Sequence, residues 1–176
     1  MVKREKLTKK NKYEKRRHTK TLKSNKVSNK VSNKVSNKVS NKVSNNLMNG
    51  IVGRFLTMLN TVKLYHWKTR SYSTHKATDE LYETLNTKID SFVEILLGKE
   101  SISNGKKRDK ILNVKNLSFK TYNHQNDFKK QIEEYKLFLI NLSNSSLNTS
   151  ANSDLMNLRD EILGLMNQFL YLLTLN

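Results

Sequence analysis

Cysteine and proline are absent from the 176 residues, and glycine occurs only five times. Without cysteine the chain can form no disulfide and offers no thiolate as a nucleophile or soft metal ligand, which fits a reducing setting. Without proline no helix loses an N–H donor, so long uninterrupted helices are expected. No apolar run reaches the ~18–20 residues needed to cross a bilayer, and the first residues lack the apolar core of a secretory signal. The expectation is a soluble, intracellular chain, cytoplasmic or nuclear, with association to a virion or nucleoid open. No helix carries the HExxH spacing that a zinc-dependent hydrolase of that type requires.

What is abundant is positive charge, and it sits at one end. Residues 1–46 hold 16 Lys or Arg against Glu5 and Glu14, a net of +14 out of +18 for the chain. The cations are Lys3, Arg4, Lys6, Lys9, Lys10, Lys12, Lys15, Arg16, Arg17, Lys20, Lys23, Lys26, Lys30, Lys34, Lys38 and Lys42. From Lys26 to Asn45 the chain is five consecutive copies of KVSN. Valine, serine and asparagine are mediocre helix formers and nothing caps the repeat, so residues 1–46 are expected to form a disordered, charge-extended tail. Such an arm binds phosphate backbones by releasing condensed counterions, without reading bases. A localisation signal around Lys15, Arg16 and Arg17, a contact with anionic membrane and a purely solubilising role are the other readings of the same charge. The repeat and the Lys- and Asn-rich composition point to an AT-rich genome, such as some large DNA viruses and protists have. In a virus, a packaging or virion role would be natural.

Residues 47–176 are one domain's worth of chain, with apolar residues at helical period in four stretches. The first, about Leu47 to Trp67, carries Ile51, Phe55, Met58 or Leu59, and Val62 in line with His66. Gly50 and Gly53 weaken its start and leave room for a neighbouring backbone. Ser73 or Thr74 can cap a second helix running to about Leu97, with Gly98 as its stop and Leu81, Leu85, Ile89, Phe92 and Leu96 as its buried stripe. A long crossover, Lys99 to His124, contains a short docked element among Ile111, Leu112, Val114, Leu117 and Phe119. The third helix, about Gln125 to Asn144, buries Phe128, Ile132, Tyr135, Leu139 and Leu142. The last, about Ser153 to Leu175, turns Leu155, Leu158, Ile162, Leu165, Phe169 and Leu172 inward, while Arg159 and Asp160 read as a solvated face. The fold class is all-α.

The stretch that carries chemistry is Leu64 to Gly98. His75, Asp79, Asp90 and Glu94 are spaced by four, eleven and four residues, so they share one helical stripe about 100° around from the apolar one. Imidazole and carboxylate together suit iron, zinc or manganese. Asp79 and Asp90 stand about 16 Å apart along one helix, too far to share a metal within one chain. They can cooperate only if two copies of the helix run antiparallel across a two-fold axis, which is an isologous dimer with two equivalent sites. A solvated acidic helix face is the competing reading of the same residues.

The pattern His66-x8-His75-x3-Asp79-x10-Asp90-x3-Glu94, with Trp67 directly after the first histidine, resembles the Dps family of miniferritins (DNA-binding proteins from starved cells). In that family the segment between the two histidines is three residues longer, so the first loop is shorter in this chain. The resemblance implies a ferritin-like four-helix bundle with iron held between two-fold-related subunits. His66, His75 and Asp79 would come from one subunit and Asp90 and Glu94 from its neighbour, with Asp90 either a ligand or an orienting carboxylate. Trp67 and Tyr65 or Tyr72 would stand beside the centre. It further implies ferroxidase activity with peroxide or dioxygen, a homodimer or dodecameric shell, and DNA binding through a basic extension. Glu-x-x-His, which places a di-iron site inside a single ferritin bundle, does not occur in the chain. The alternative is a catalytically silent ferritin-like scaffold whose basic arm condenses nucleic acid.

The tail generates a direct expectation. If six to ten of its cations touch phosphates, duplex DNA affinity of the full chain falls by ~10³–10⁵ between 50 and 200 mM salt. A mobility-shift titration at the two concentrations, on the full chain and on one lacking residues 1–46, checks this; only the full chain should show the effect.

Overall fold

The computed structural model describes residues 46–101 and 105–175. The expected tail, its KVSN repeats and its sixteen cations lie outside the described residues. Among the described residues five α-helices follow one another: α1 through residues 46–68, α2 Tyr72–Ser101, α3 Gly105–Leu112, α4 Gln125–Asn141 and α5 Ser153–Leu172. Single 3₁₀ turns, Leu142–Asn144 and Ser150–Asn152, lie between α4 and α5. No strand occurs among the described residues, and no described helix is long and apolar enough to cross a membrane.

The helix directions follow from which side chains meet. Phe55 packs edge-on against Phe92 at 5.0 Å between ring centroids, and His66 lies on His75, so α1 and α2 are an antiparallel hairpin. Tyr65 stacks on Phe128 at 3.9 Å, and the Tyr135 hydroxyl donates to Thr61 Oγ1 at 2.9 Å, which sets α4 antiparallel to α1. Phe128 meets Phe169 at 5.9 Å, and Arg159 reaches back to Ser143, so α5 is antiparallel to α4. Lys88 pairs with Glu161 and Lys99 with Asp154, so α5 is antiparallel to α2 as well. Four long helices thus form an antiparallel square whose α2-to-α4 connection must traverse the bundle. One long crossover is the connectivity of ferritin-like four-helix folds.

The core is the set of stripes read from periodicity. Ile51, Phe55, Met58, Leu59, Val62 and His66 are buried on α1; Leu81, Leu85, Ile89, Phe92 and Leu96 on α2; Phe128, Ile132, Tyr135 and Leu139 on α4, with Leu142 just beyond it. Phe55 and Phe92 are fully enclosed, and truncating either to alanine costs about 3–5 kcal/mol, the price of an aromatic-sized cavity.

Several expectations are corrected. Helix α2 runs through Gly98 to Ser101, because an exposed glycine with φ below zero merely weakens a helix whose opposite face is packed. Its cap is neither Ser73 nor Thr74 but Ser71, two to three residues earlier, whose Oγ accepts the Thr74 N–H at 3.3 Å. The crossover helix α3 grows from the basic Lys106-Lys107-Arg108 cluster; Ile111 anchors it in the core, whereas Leu117 and Phe119 are exposed. At Gly53 the close neighbour is a side chain, since a Cβ there would stand 3.1 Å from Val114 Cγ1, and at Gly50 there is open space. On α5 the buried seam is Leu155, Ile162, Met166, Phe169 and Leu173, with Leu158, Leu165 and Leu172 half-buried. That seam advances by alternating threes and fours and includes position 159. The Arg159 side chain is therefore only 12 % exposed and donates to Ser143 Oγ at 2.8 Å, while Asp160 beside it is open.

Helical glycines with open space at Cβ are the least strained sites for improvement. Gly164 lies exposed on α5 with nothing within 4 Å of an added methyl. Gly164→Ala is expected to raise stability by about 0.5–1 kcal/mol, read as a higher thermal midpoint with unchanged helicity by circular dichroism.

Candidate metal half-site

The hairpin joining α1 to α2 is short: Thr69 to Ser71 lie outside both helices. Thr69 N–H closes the end of α1 on the Tyr65 carbonyl at 2.9 Å, and Ser71 opens α2 by capping it. The last turn of α1 is thereby pressed against the first turn of α2, and the two histidines meet. Their rings stack with centroids 4.0 Å apart and planes 24° from parallel.

A reciprocal pair of hydrogen bonds fixes them. His66 Nδ1 lies 3.1 Å from the His75 carbonyl oxygen, and His75 Nδ1 lies 3.1 Å from the His66 carbonyl oxygen. A carbonyl oxygen can only accept, so both Nδ1 atoms carry the proton, and each ring in its neutral form keeps its Nε2 as a bare lone pair. The Thr78 hydroxyl, 3.3 Å from His66 Nδ1, donates into the Thr74 and His75 carbonyls at 2.8 and 2.9 Å and fills the remaining buried polar space. A backbone carbonyl on Nδ1 is the arrangement that orients metal-binding histidines and selects Nε2 as the ligand atom.

Asp79 stands one turn beyond His75. Its Oδ1 is 3.6 Å from His66 Nε2, too far for a hydrogen bond. With Nδ1 protonated, two lone-pair bearers face each other, and a proton on Nε2 or a cation between them is needed to reconcile the contact. Two donors about 2.0–2.1 Å from one tetrahedral ion are separated by roughly 3.4 Å, close to what is seen. The Lys63 ammonium lies 3.9 Å from the same oxygen, and 4.5 Å from the centroid of the Tyr82 ring.

The structure therefore brings His66, His75 and Asp79 together and leaves Asp90 and Glu94 apart from them, further along α2. All three carboxylates face outward: the Asp79 side chain is 40 % exposed, and Asp90 and Glu94 are exposed. Among the described residues no three His, Cys, Asp or Glu are grouped so as to hold a metal ion within one chain. Imidazole and carboxylate are donor types that suit a divalent first-row ion, and within one chain they make no complete donor set among the described residues. Trp67 and Tyr72 are 68 % and 77 % exposed beside this half-site, whereas Tyr65 is buried on Phe128 and its phenol is pushed up by that burial. His124 stands exposed at the N-cap position of α4 with no side-chain cap bond.

Two participants were not singled out from sequence. Thr78 is three residues after His75 and Lys63 three before His66, so the helical spacing that aligned the ligands would also have marked both.

The described residues thus form an all-α four-helix bundle with one long crossover and a histidine–carboxylate cluster at the turn of the first hairpin, His66 buried and Asp79 partly exposed. The profile of a family of unknown function, DUF5856, matches residues 66–173, more than half of the chain, and the chain belongs to that family. The match begins at His66 and runs through all of α2 to α5. No curated protein and no solved structure matches the chain.

The clasp makes a spectroscopic prediction. Long-range ¹⁵N–¹H correlation of the imidazoles should show His66 and His75 in the Nδ1–H tautomer in their neutral form, against the Nε2–H form that free histidine prefers. Observation of Nε2–H at either residue would remove its lone pair from the half-site.

Proposed function

We propose that this chain is a Dps-like miniferritin subunit that oxidises Fe(II) at a site shared between two copies. The observation that carries the reading is the convergence of His66 Nε2 and Asp79 Oδ1, 3.6 Å apart, with both histidines turned by their Nδ1 bonds so that Nε2 is free to ligate. The spacing supports a second copy as the source of the missing donors. His75 and Glu94, and likewise Asp79 and Asp90, are symmetric about the same point of α2, between Thr84 and Leu85. A two-fold axis crossing α2 there would bring both pairs together at once and build two equivalent sites.

In this reading iron is the substrate. Imidazole nitrogens bind Fe(II) well, and carboxylates favour the harder Fe(III), so the cluster stabilises the oxidised ion more than the reduced one. Each hydrogen peroxide would take one electron from each of two Fe(II) ions and two protons from solvent, its O–O bond breaking to give two waters and two Fe(III) ions. Asp90 and Glu94, open to solvent in one chain, would be covered by the partner. The basic tail would hold the assembly on nucleic acid phosphates, in keeping with the electrostatics of residues 1–46.

Anaerobic loading with Fe(II) followed by peroxide, with ferric absorbance recorded, tests the site. Wild type is expected to oxidise iron at least about tenfold faster than His75→Ala/Asp79→Ala. Asp90→Asn/Glu94→Gln should be equally slow, yet mixing the two inactive variants should restore activity, because a mixed dimer contains one intact site. Equal, slow oxidation by wild type and variants would leave a silent bundle with a basic arm.

A further inference from the structure

Among the described residues Lys63 is the cation paired with Asp79, and its surroundings hold it there. The ammonium lies 3.9 Å from Asp79 Oδ1, the oxygen that also faces His66 Nε2, and it sits 4.5 Å from the Tyr82 ring centroid and 5.9 Å from that of Trp67. A carboxylate and two aromatic faces all attract the same positive charge. The Lys63 side chain is 28 % exposed, so its flexible stem has an open path along which the ammonium can leave.

We infer that Lys63 is the resident counter-cation of the half-site and that a divalent ion loads by displacing its ammonium from Asp79; this rests on the reading of the cluster as a metal half-site. The ammonium, 3.9 Å from Asp79 Oδ1, offsets the carboxylate charge that would attract the metal and repels a second positive charge at short range. An entering ion must recover that loss from the two imidazoles. First-row ions with a taste for nitrogen can do so; magnesium and calcium, which seek oxygen, cannot. Lys63 therefore acts as a positioning residue that sets both the threshold for loading and the exclusion of abundant hard cations. Its role differs from that of a ligand in sign, since removing it strengthens binding.

The experiment is calorimetric titration of the full chain with Zn(II), with and without excess Mg(II), for wild type, Lys63→Met, Lys63→Arg and His75→Ala. Lys63→Met keeps the apolar stem and removes the charge. It is expected to bind Zn(II) about tenfold more tightly than wild type and to lose part of that gain to Mg(II). Lys63→Arg should stay near wild type because it keeps the charge. Trp67 is the single tryptophan of the chain, so its emission should change on Zn(II) loading of wild type as the ammonium leaves, and should not change in Lys63→Met. Zn(II) uptake that depends on His75 but is equal or weaker in Lys63→Met overturns this inference alone, as does an unchanged Trp67 emission on loading of wild type. Absence of any His75-dependent uptake in both proteins overturns the half-site reading and this inference with it.

Discussion

Helix α2 has to satisfy two demands about a quarter turn apart, and the molecule is arranged by that constraint. One stripe, Leu81 to Leu96, is closed off by α1 and α5; the neighbouring stripe, His75 to Glu94, is left at the surface. Packing fixes the rotation of the helix about its own axis, because turning it to bury the carboxylates would expose Phe92 and bury unpaired charge. The position of every chemically active side chain is a consequence of where the phenylalanines go.

Against that background the two histidines solve a local problem. Burying His66 near the end of α1 would strand a polar ring in the core, and burying the turn between helices would strand carbonyls. The reciprocal Nδ1 bonds satisfy both at once, and Thr78 closes the remainder. The same bonds that make the hairpin end stable also decide which nitrogen is left over. The bonds that satisfy the buried polar groups and those that leave Nε2 unprotonated are one arrangement, so the hairpin has a structural reason to keep the histidine pair whatever its chemistry.

Most of the fold was legible because apolar spacing is a strong signal over long helices: the stripes on α1, α2 and α4 appear in the core residue for residue. The errors cluster where local chemistry is finely balanced. Ser71 and Ser73 are equally able caps on paper, and only the path of the turn decides between them. Gly98 reads as a stop, yet tertiary packing of Leu96 carries the helix past it. Arg159 reads as solvent-facing because of its charge, although its place in the three-four spacing of α5 puts it on the seam. At the histidine–carboxylate cluster the residue types and their order along α2 were visible, since they obey helical period. The stacking of the rings, their tautomers and the cation beside Asp79 depend on how one helix lies against another, which no single helix period encodes.

Along the chain, the two halves of the bundle are linked by the crossover. Each half is a hairpin of antiparallel neighbours, α1 with α2 and α4 with α5, whose contacts join residues near in sequence, and contacts of that kind close quickly and at small entropic cost. Everything that defines the half-site, from Lys63 to Asp79, belongs to the turn of the first hairpin. The clasp is therefore available as soon as α1 and α2 meet, before the chain has bridged to α4. On a ribosome, where the earlier hairpin emerges first, the nascent protein would already present its histidine pair while the second half was still being made.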